Sequence, residues 1–356
     1  MAQSSPVERA ELGRRVGRAN SAILARQRPR LAAVSDELGP ITDALAALLK
    51  GGKRLRPAFA YWGFRGAGGV DSDEVVAAVA SLEWLHACAL IHDDVMDRSD
   101  TRRGAPSVHR QFAALHQSSD WCGAAEAFGE SAAILLGDLC LIWADEAYNT
   151  SGLDQGALQR GRPVYDEMRT ELMAGQYLDL MAQALGRSSV EQALRVATYK
   201  TAKYTVERPL HLGAALAGAP PSLLRAYSAY GLPLGEAFQL RDDLLGVFGD
   251  PSTTGKPAGD DLREGKRTVL IAYALAKADE EQSAVIGGRF GDPDLAEAEV
   301  VRLREVVEAT GARAHCERLI TERTTQALAA LHAVDIDADA RQVLHDLAGA
   351  ATARTG

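Results

Sequence analysis

Apolar residues recur at three- and four-residue intervals along most of this chain. The segments 72–97, 130–149 and 165–185 are rich in Ala, Leu and Glu and run well beyond the length of a strand. Such periodicity is typical of amphipathic helices, and these three residue types are strong helix formers. Glycine and proline fall mainly between the segments, where they end helices. The pattern therefore predicts roughly a dozen helices, no strand pair and an all-α fold.

The chain shows no internal boundary. No linker rich in Ser, Gly or Pro divides its 356 residues, and no repeat has the period of a solenoid. We predict a single all-α domain over residues 21–356, preceded by an N-terminal extension over residues 1–20 that is either helical or a frayed tail.

Charge and cysteine spacing argue against several classes of protein. The 39 basic and 48 acidic side chains give a net charge of −9, which argues against a basic nucleic-acid-binding surface. We identify neither an apolar run of the roughly 18–20 residues that cross a bilayer nor a secretion signal. The four cysteines lack the spacing of disulfide frameworks or metal sites. We expect a soluble cytoplasmic protein with reduced thiols, no nucleic-acid partner and no transmembrane segment.

The first candidate for chemistry is HDDVMD, residues 92–97, at the end of a long apolar helix. Asp93 and Asp97 are four residues apart, so their carboxylates lie on one helix face, one turn apart. Like charges at this spacing repel, and the helix dipole disfavours acids at a C-terminal end. Either this is a solvated acidic helix terminus, or a divalent cation is held between the carboxylates.

A second acidic cluster begins in FQLRDDLLGVFGD, residues 238–250. Asp242 and Asp243 lie on another predicted helix, and Asp260 and Asp261 follow across a glycine-rich loop. Two acidic pairs on separate helices are difficult to explain as surface decoration. Mg²⁺ takes one or two protein carboxylates and completes its shell with water and phosphate oxygens. The pairs therefore suggest a site for a polyphosphate ester bridged by several Mg²⁺ ions.

Basic residues flank both acidic clusters. Arg102 and Arg103 follow the first, and Lys256 and Lys266 lie around the second. Arg binds phosphate as a bidentate fork and Lys binds it as a point charge, so the joint pattern favours diphosphate recognition. The segment GGKRLRP, residues 51–57, lacks the spacing of a P-loop and is interpreted as a helix–helix connection whose cations reach an anion.

Together these motifs resemble the trans-polyprenyl diphosphate synthases, which join isoprenyl units head to tail. The matching motifs occur in family order and are GGKRLRP (51–57), LHACALIHDDVMDRSDTRRG (85–104), AILLGDLCLIWADE (133–146), MAGQYLDL (173–180), YKTAKYT (199–205) and FQLRDDLLGVFGDPSTTGKPAGDDLREGKRT (238–268). The resemblance implies an isoprenoid-synthase-type bundle of long antiparallel helices around a deep central cavity, usually assembled as a homodimer.

The resemblance also implies the reaction and its residues. Isopentenyl diphosphate would condense with dimethylallyl, geranyl or farnesyl diphosphate, with about three Mg²⁺ ions at each site. The implied metal residues are Asp93, Asp94, Asp97, Asp242, Asp243 and, through water, Asp261. The implied residues for isopentenyl diphosphate are Lys53, Arg56, His86 and Arg103. The implied residues for the allylic diphosphate and its cation are Arg102, Lys200, Thr201, Gln239, Lys256 and Lys266. The implied catalytic residues are Asp93, Asp97, Asp242, Lys200, Thr201 and Gln239.

One position departs from the family pattern. The second motif usually reads DDxxD, whereas here it is DDLLG, with Gly246 in the last aspartate position. We expect activity to survive, because the first aspartate of that motif is the direct ligand in the family. Asp250 or a water is available to fill the gap.

Product length depends on the path of the growing prenyl tail. The tail is expected to run back along the helix that carries Asp93, and one turn of about 5.4 Å is close to the reach of one isoprene unit. Cys88 and Ala89 are too small to block the tail early, and Leu85, a turn further, is a candidate floor. Met173 or Tyr177 on a facing helix is another. We predict geranylgeranyl diphosphate, with farnesyl and longer products as alternatives.

Three other functions compete with this one. A class I terpene cyclase also ionises an allylic diphosphate, but it has no need of the second diphosphate site formed by GGKRLRP, His86 and Arg103. A non-catalytic regulatory subunit would be expected to have lost aspartates or lysines from the motifs, and only position 246 departs. A metal phosphohydrolase, suggested by His86 and His92, would leave the second aspartate cluster unexplained.

Overall fold

The computed structural model describes residues 4–186, 188–250, 259–292 and 294–353. Helices make up most of the described structure, which confirms the all-α prediction. In chain order they are α1 (Ser4–Ala32), α2 (Gly39–Lys50), α3 (Leu55–Gly66), α4 (Asp73–Met96), α5 (Val108–Ser118), α6 (Ala125–Asn149), α7 (Gln155–Ala184), α8 (Val190–Val196), α9 (Arg208–Leu216), α10 (Pro221–Phe248), α11 (Asp260–Arg263), α12 (Val269–Lys277), α13 (Glu280–Arg289), α14 (Glu297–Ala309), α15 (Ala312–Ala333) and α16 (Ala338–Thr352). Residues Asp36–Leu38 form a 3₁₀ turn, and Ala197–Glu207 form a π-helix between α8 and α9.

The prediction of no strand pair is wrong at one short hairpin. Strand β1 (Thr101–Arg102) pairs antiparallel with β2 (Ala105–Pro106). The two residues between them, Arg103 and Gly104, have φ angles of 55° and 75°. Positive φ at both central positions is typical of a type I′ turn, which matches the twist of a hairpin. Two-residue strands are too short to leave an alternating pattern in the sequence.

The chain divides into two compact units, the first of which contains residues up to 61 and residues 70–159. Helix α4 is the centre of this unit and packs against α1 and α6. Ser72 caps α4 by accepting a hydrogen bond from the Val75 N–H. Trp84 of α4 meets Trp143 of α6 edge to face, with 5.4 Å between the ring centroids. This buried helix carries the first aspartate motif at its C-terminal end.

Helices α4 and α6 are both long and apolar enough to cross a bilayer, contrary to the expectation from the sequence. In α4, 72% of the most apolar window is buried inside the protein, so its apolarity is that of a core helix. In α6 the corresponding share is 39%. Helix α6 keeps an exposed apolar face that contains Ile134, Leu135 and Ile142.

The predicted extension over residues 1–20 does not end at a helix boundary. Helix α1 continues to Ala32 and buries Leu12 and Val16. It lies in the first unit, where it packs against α4. The assignment of residues 21–356 to one domain stays a prediction.

The second unit contains residues 62–69 and the chain from residue 160 onward. Its central helix is α10, which packs against α15 and the π-helix. Gly235 permits the close approach to the π-helix, because a Cβ at this position would lie 2.4 Å from the Ala202 Cα. The Tyr230 hydroxyl donates to the Leu344 carbonyl of α16 at 2.7 Å. Helix α10, which carries the second aspartate motif, is therefore held by contacts on several sides.

Candidate active site

The first aspartate motif lies where α4 ends. Asp97 directly follows the last residue of the helix, and its N–H donates to the Asp93 carbonyl at 2.8 Å. Asp93 and Asp97 are therefore one turn apart, as their spacing predicts. Both residues are partly exposed, although the two carboxylate oxygens of Asp97 are buried. Asp94, between them, is buried.

The buried Asp94 carboxylate is paired with Arg102 of β1. The Arg102 Nε donates to Asp94 Oδ1 at 2.9 Å, and an Arg102 guanidinium nitrogen lies 3.5 Å from Asp93 Oδ2. A buried carboxylate needs such a partner, because burial penalises an uncompensated charge. The hairpin thus brings Arg102 to the first aspartate motif. The roles of Asp94 as a metal residue and of Arg102 as a diphosphate ligand stay predictions.

Three arginines surround His86, two turns before Asp93 on α4. Burial lowers the pKa of His86 well below its usual value, and the positive charges of Arg56, Arg103 and Arg102 lower it further. The carboxylate of Asp93 opposes these effects and raises the pKa of His86. The imidazole is therefore neutral at pH 7, and its surroundings are cationic. Three of the residues predicted to bind isopentenyl diphosphate are gathered here from separate parts of the sequence.

Two glycines bring the GGKRLRP segment against the hairpin. A Cβ at Gly52, where φ is 102°, would lie 2.8 Å from a guanidinium nitrogen of Arg103, and one at Gly51 would lie 3.3 Å away. The Arg103 guanidinium also donates to the Leu48 carbonyl at 2.8 Å. Lys53 lies in the same segment and is exposed. The segment is a connection between α2 and α3, as the sequence predicts.

In the second unit a chain of hydrogen bonds joins three predicted residues. Thr201 of the π-helix donates its hydroxyl proton to Gln239 Oε1 of α10. Gln239 Nε2 in turn donates to Asp243 Oδ1 at 2.6 Å. The two bonds fix the orientation of the Gln239 amide, so that Thr201, Gln239 and Asp243 are oriented together.

Lys200 pairs with Asp179, a residue that the sequence analysis did not single out. The Lys200 Nζ lies 2.6 Å from Asp179 Oδ2, and Asp179 is buried on α7. Gly175 permits the approach, because a Cβ there would lie 2.5 Å from the Lys200 backbone nitrogen. Gly175 and Asp179 both lie in the segment MAGQYLDL, residues 173–180. The pairing of Asp179 with Lys200 could be assigned only from the fold.

The π-helix that carries Lys200 and Thr201 is braced by an ionic network, which was also missed. Lys203 and Arg208 both donate to the Glu171 carboxylate of α7, with an Arg208 Nε distance of 2.6 Å. π-Helical geometry is rare and occurs frequently at functional sites. The π-helix of this protein spans 11 residues. Its sequence, ATYKTAKYTVE, carries no signal that separates it from an α-helix.

Asp243 lies in a concentration of negative charge. The pKa of Asp243 is raised to about 8, mainly by burial and further by the carboxylates of Asp261, Asp242 and Asp179. The hydrogen bond from Gln239 partly offsets this rise. Among the described residues, no three His, Cys, Asp or Glu side chains are arranged to hold a single metal ion. Mg²⁺ commonly takes only one or two protein carboxylates and needs no such cluster.

Asp261 of α11 occupies the space next to Gly246. A Cβ at position 246 would lie 1.8 Å from Asp261 Oδ2. The Lys266 Nζ lies 3.8 Å from Asp261 Oδ1 and 2.6 Å from Glu264 Oε2. Asp250, the other acidic residue near the gap, is exposed. Asp261 therefore fills the volume that a third aspartate of the second motif would require.

The remaining predicted residues are placed as follows. Lys256 lies outside the described residues. Leu85 and Cys88 are fully buried, and Ala89 is partly exposed. Met173 and Tyr177 are exposed on α7. The roles of these residues in chain length stay predictions.

Comparison with known proteins identifies the family. The family model of the polyprenyl synthetases matches residues 40–307. The chain belongs to this family. It is a polyprenyl diphosphate synthase, a prenyltransferase that elongates prenyl chains.

Similar proteins carry the names of several prenyl chain lengths. The geranylfarnesyl diphosphate synthase of Aeropyrum pernix is 32% identical over 313 residues, which cover 86% of this synthase and 91% of that protein. The (2E,6E)-farnesyl diphosphate synthase of Mycobacterium bovis is 31% identical over 301 residues, which cover 83% of this synthase and 78% of that protein. A crystal structure of geranylgeranyl pyrophosphate synthase from Corynebacterium glutamicum, complexed with isoprenyl diphosphate and magnesium, is 44% identical with a TM-score of 0.94. It covers 97% of this synthase and 99% of that chain.

Proposed function

We propose that this synthase makes geranylgeranyl diphosphate by Mg²⁺-dependent condensation of isopentenyl diphosphate with an allylic diphosphate. The observation that carries the proposal is the cationic cluster around the neutral His86. A cyclase needs one diphosphate site, whereas a condensing synthase needs a second one for isopentenyl diphosphate. The named similarity to a Corynebacterium glutamicum geranylgeranyl pyrophosphate synthase supports the chain length.

Isopentenyl diphosphate binds at the cluster formed by Lys53, Arg56, His86 and Arg103. Guanidinium groups offer paired N–H donors that match phosphate oxygens, and Lys53 adds a point charge. The neutral His86 contributes a hydrogen bond without adding to the repulsion between the arginines. This site needs no metal, because the protein itself supplies the opposite charge.

The two aspartate motifs would hold the Mg²⁺ ions that bind the allylic diphosphate. Asp93, Asp97 and Asp242 would be the direct ligands, Asp94 and Asp243 would complete the motifs, and Asp261 would contribute through water. Burial raises the pKa of Asp243 most, and the carboxylates of Asp261, Asp242 and Asp179 raise it further, so nearby cations would favour its ionised form. About three bound Mg²⁺ ions would supply the Lewis acidity that neutralises diphosphate as it departs.

The reaction itself forms one carbon–carbon bond and breaks one carbon–oxygen bond. The allylic C1–O bond breaks and its electron pair leaves with diphosphate, while Arg102, Lys200, Lys256 and Lys266 stabilise the departing charge. The double bond of isopentenyl diphosphate then attacks the allylic cation through its terminal carbon. The attack leaves a cation at C3 of the isopentenyl unit. A proton then leaves C2 for the departing diphosphate, and the C2–H electron pair becomes the new C2–C3 double bond. The oxygens of Thr201 and Gln239 offer their dipoles to the cation.

Chain length is set along α4, upstream of Asp93. The small side chains of Cys88 and Ala89 let the tail pass, and Leu85 limits it one turn further. Ala89→Phe should therefore shorten the main product by one isoprene unit or more, since a phenyl ring would fill the path. An unchanged product distribution would show that the tail does not pass residue 89.

The synthase is a soluble cytoplasmic homodimer in this proposal. Leu135 and Ile142 of α6 are 63% and 60% exposed in the single chain, and apolar faces of this kind are typical of interfaces between subunits. A second copy of the chain is the partner that covers them. Sedimentation of wild type and of Leu135→Lys tests this, with a monomeric variant expected.

Product analysis tests the function directly. Purified protein is incubated with Mg²⁺, isopentenyl diphosphate and dimethylallyl, geranyl or farnesyl diphosphate in turn, and the dephosphorylated products are sized. Linear twenty-carbon alcohols are expected. Fifteen-carbon or longer alcohols would keep the synthase and correct the chain length. Unused isopentenyl diphosphate with a hydrocarbon product would indicate a cyclase, and no reaction would favour a regulatory subunit.

A further inference from the structure

Glu83 is a buried acid in an otherwise apolar turn of α4. Its side chain is 5% exposed, and its neighbours Leu82 and Trp84 are fully buried. A carboxylate in such surroundings is costly unless an opposite charge accompanies it. Arg54 supplies that charge by donating from its guanidinium to Glu83 Oε2. Sequence analysis assigned no role to either residue.

Arg54 adopts a backbone conformation that its side chain disfavours. Its φ is 54°, in the left-handed region where a long side chain is uncommon and glycine is usual. The same guanidinium that binds Glu83 also donates to the Leu49 carbonyl in the last turn of α2. One side chain therefore ties the loop between α2 and α3 to α4. Strain of this kind persists only where surrounding contacts hold it in place.

The tied loop belongs to the cationic cluster around His86. Burial lowers the pKa of Arg103. The positive charges of Arg54, Arg102 and Arg56 lower it further, and the carboxylate of Glu83 opposes them. Glu83 is also three residues before His86 on α4 and therefore lies on the same side of that helix. A single buried carboxylate thus offsets repulsion among several guanidinium groups that lie on different segments.

We propose that Glu83 and Arg54 are positioning residues for isopentenyl diphosphate. The buried pair holds the loop so that Lys53 and Arg56, on either side of Arg54, stay close to His86 and Arg103 before substrate arrives. Neither residue needs to touch the substrate. The inference rests on the proposed function, because it assumes that isopentenyl diphosphate binds at this cluster.

The test measures binding of isopentenyl diphosphate by calorimetry, without Mg²⁺ and without an allylic substrate. Glu83→Gln keeps the size of the side chain and removes the charge, and it should weaken binding at least tenfold. In steady-state assays KM for isopentenyl diphosphate should rise, whereas KM for the allylic diphosphate should change less than twofold. A general structural defect would raise both KM values.

Two substitutions of Arg54 separate its backbone from its side chain. Arg54→Gly accepts the left-handed conformation and loses the ion pair, so weakened binding in this variant assigns the effect to the guanidinium. Arg54→Lys keeps the charge and should restore part of the affinity. If Glu83→Gln fails to fold, the affinities of the two Arg54 variants for isopentenyl diphosphate test the inference instead.

Arg15→Gln is the matched control. Arg15 joins α1 to the start of α4 through Asp71 and Asp73, with a distance of 2.8 Å to each. Its loss breaks ion pairs of the same unit that lie away from the cluster and have more exposed acids, and it should leave affinity for isopentenyl diphosphate unchanged. Unchanged binding in both Glu83→Gln and Arg54→Gly would overturn the inference. A wild-type protein that binds no isopentenyl diphosphate would instead overturn the proposed function.

Discussion

Each of the two units buries one aspartate of its acidic motif, and their surroundings differ. In the first unit, Asp94 accepts a hydrogen bond from Arg102 Nε at 2.9 Å. In the second, Asp243 accepts one from the neutral amide of Gln239 at 2.6 Å. Additional carboxylates around Asp243 raise its pKa, on top of the effect of burial.

The two aspartates occupy the same position in their sequence motifs but have different charged neighbours. Both aspartates are the second member of an Asp–Asp pair on a long helix, so local sequence treats them alike. The hairpin brings an arginine to Asp94, whereas α11 brings another carboxylate toward Asp243. The protein therefore balances the buried charge of Asp94 with an arginine, whereas burial and neighbouring carboxylates favour the protonated form of Asp243.

The largest expected effect comes from Asp93, the partly exposed member of the first motif. Asp93→Ala should reduce kcat/KM at least 10³-fold, about 4 kcal/mol, because in the proposed mechanism Asp93 is a direct ligand of the catalytic Mg²⁺. The circular dichroism spectrum should be unchanged, since the substitution also relieves repulsion with Asp97. Near-normal turnover by a folded variant would show that Asp93 is not a metal ligand.

Removing the partner of the first buried aspartate should cost stability. Arg102→Leu leaves Asp94 buried without its ion pair, and unfolding in urea should show a loss of about 3 kcal/mol. Arg110→Leu is a matched control, because its pair with Asp100 is more exposed and should contribute less than about 1 kcal/mol. If both variants lose the same stability, burial of Asp94 does not make its pair special. The double variant Asp94→Asn with Arg102→Leu should regain most of the loss.

Removing the charge of the second buried aspartate, Asp243, should increase stability rather than reduce it. The native pKa of Asp243 is about 8 against an ordinary value of 3.8, so the folded protein holds a proton that the unfolded chain releases. Its contribution to stability is therefore full below pH 4 and declines as pH rises toward 8. In chelator, Asp243→Asn should be more stable than wild type by about 1–3 kcal/mol at pH 8 and similar at pH 4. Parallel melting curves from pH 4 to 9 would contradict this assignment.

The smallest effect is expected at Gly246. Alanine normally stabilises an exposed helical position by up to about 1 kcal/mol relative to glycine. Gly246→Ala should instead destabilise the protein, because its Cβ would meet the Asp261 carboxylate at 1.8 Å. Gly349→Ala, at an exposed helical glycine with no other atom within 4 Å, is the control and should be neutral or stabilising. Equal stability changes in the two variants would show that Asp261 moves aside without cost.

Much of the molecule could be predicted from local pattern. The 3.6-residue periodicity is strong over long segments, so the all-α fold follows from it, and the aspartate spacing at residues 93 and 97 places both carboxylates on one face. The hairpin at 101–106 could not be predicted, because two-residue strands leave no periodicity. The π-helix at 197–207 could not be predicted either, because its residues form an ordinary helix equally well.

The partners of the chemical residues belong to the tertiary structure alone. Sequence by itself determined the helices, the two aspartate motifs and the cationic segments, because these depend on residue type and on spacing within a few turns. Only tertiary structure paired Arg102 with Asp94, Glu83 with Arg54 and Lys200 with Asp179. Charge compensation depends on distances of about 3–4 Å between segments far apart in the chain, which composition and periodicity do not encode.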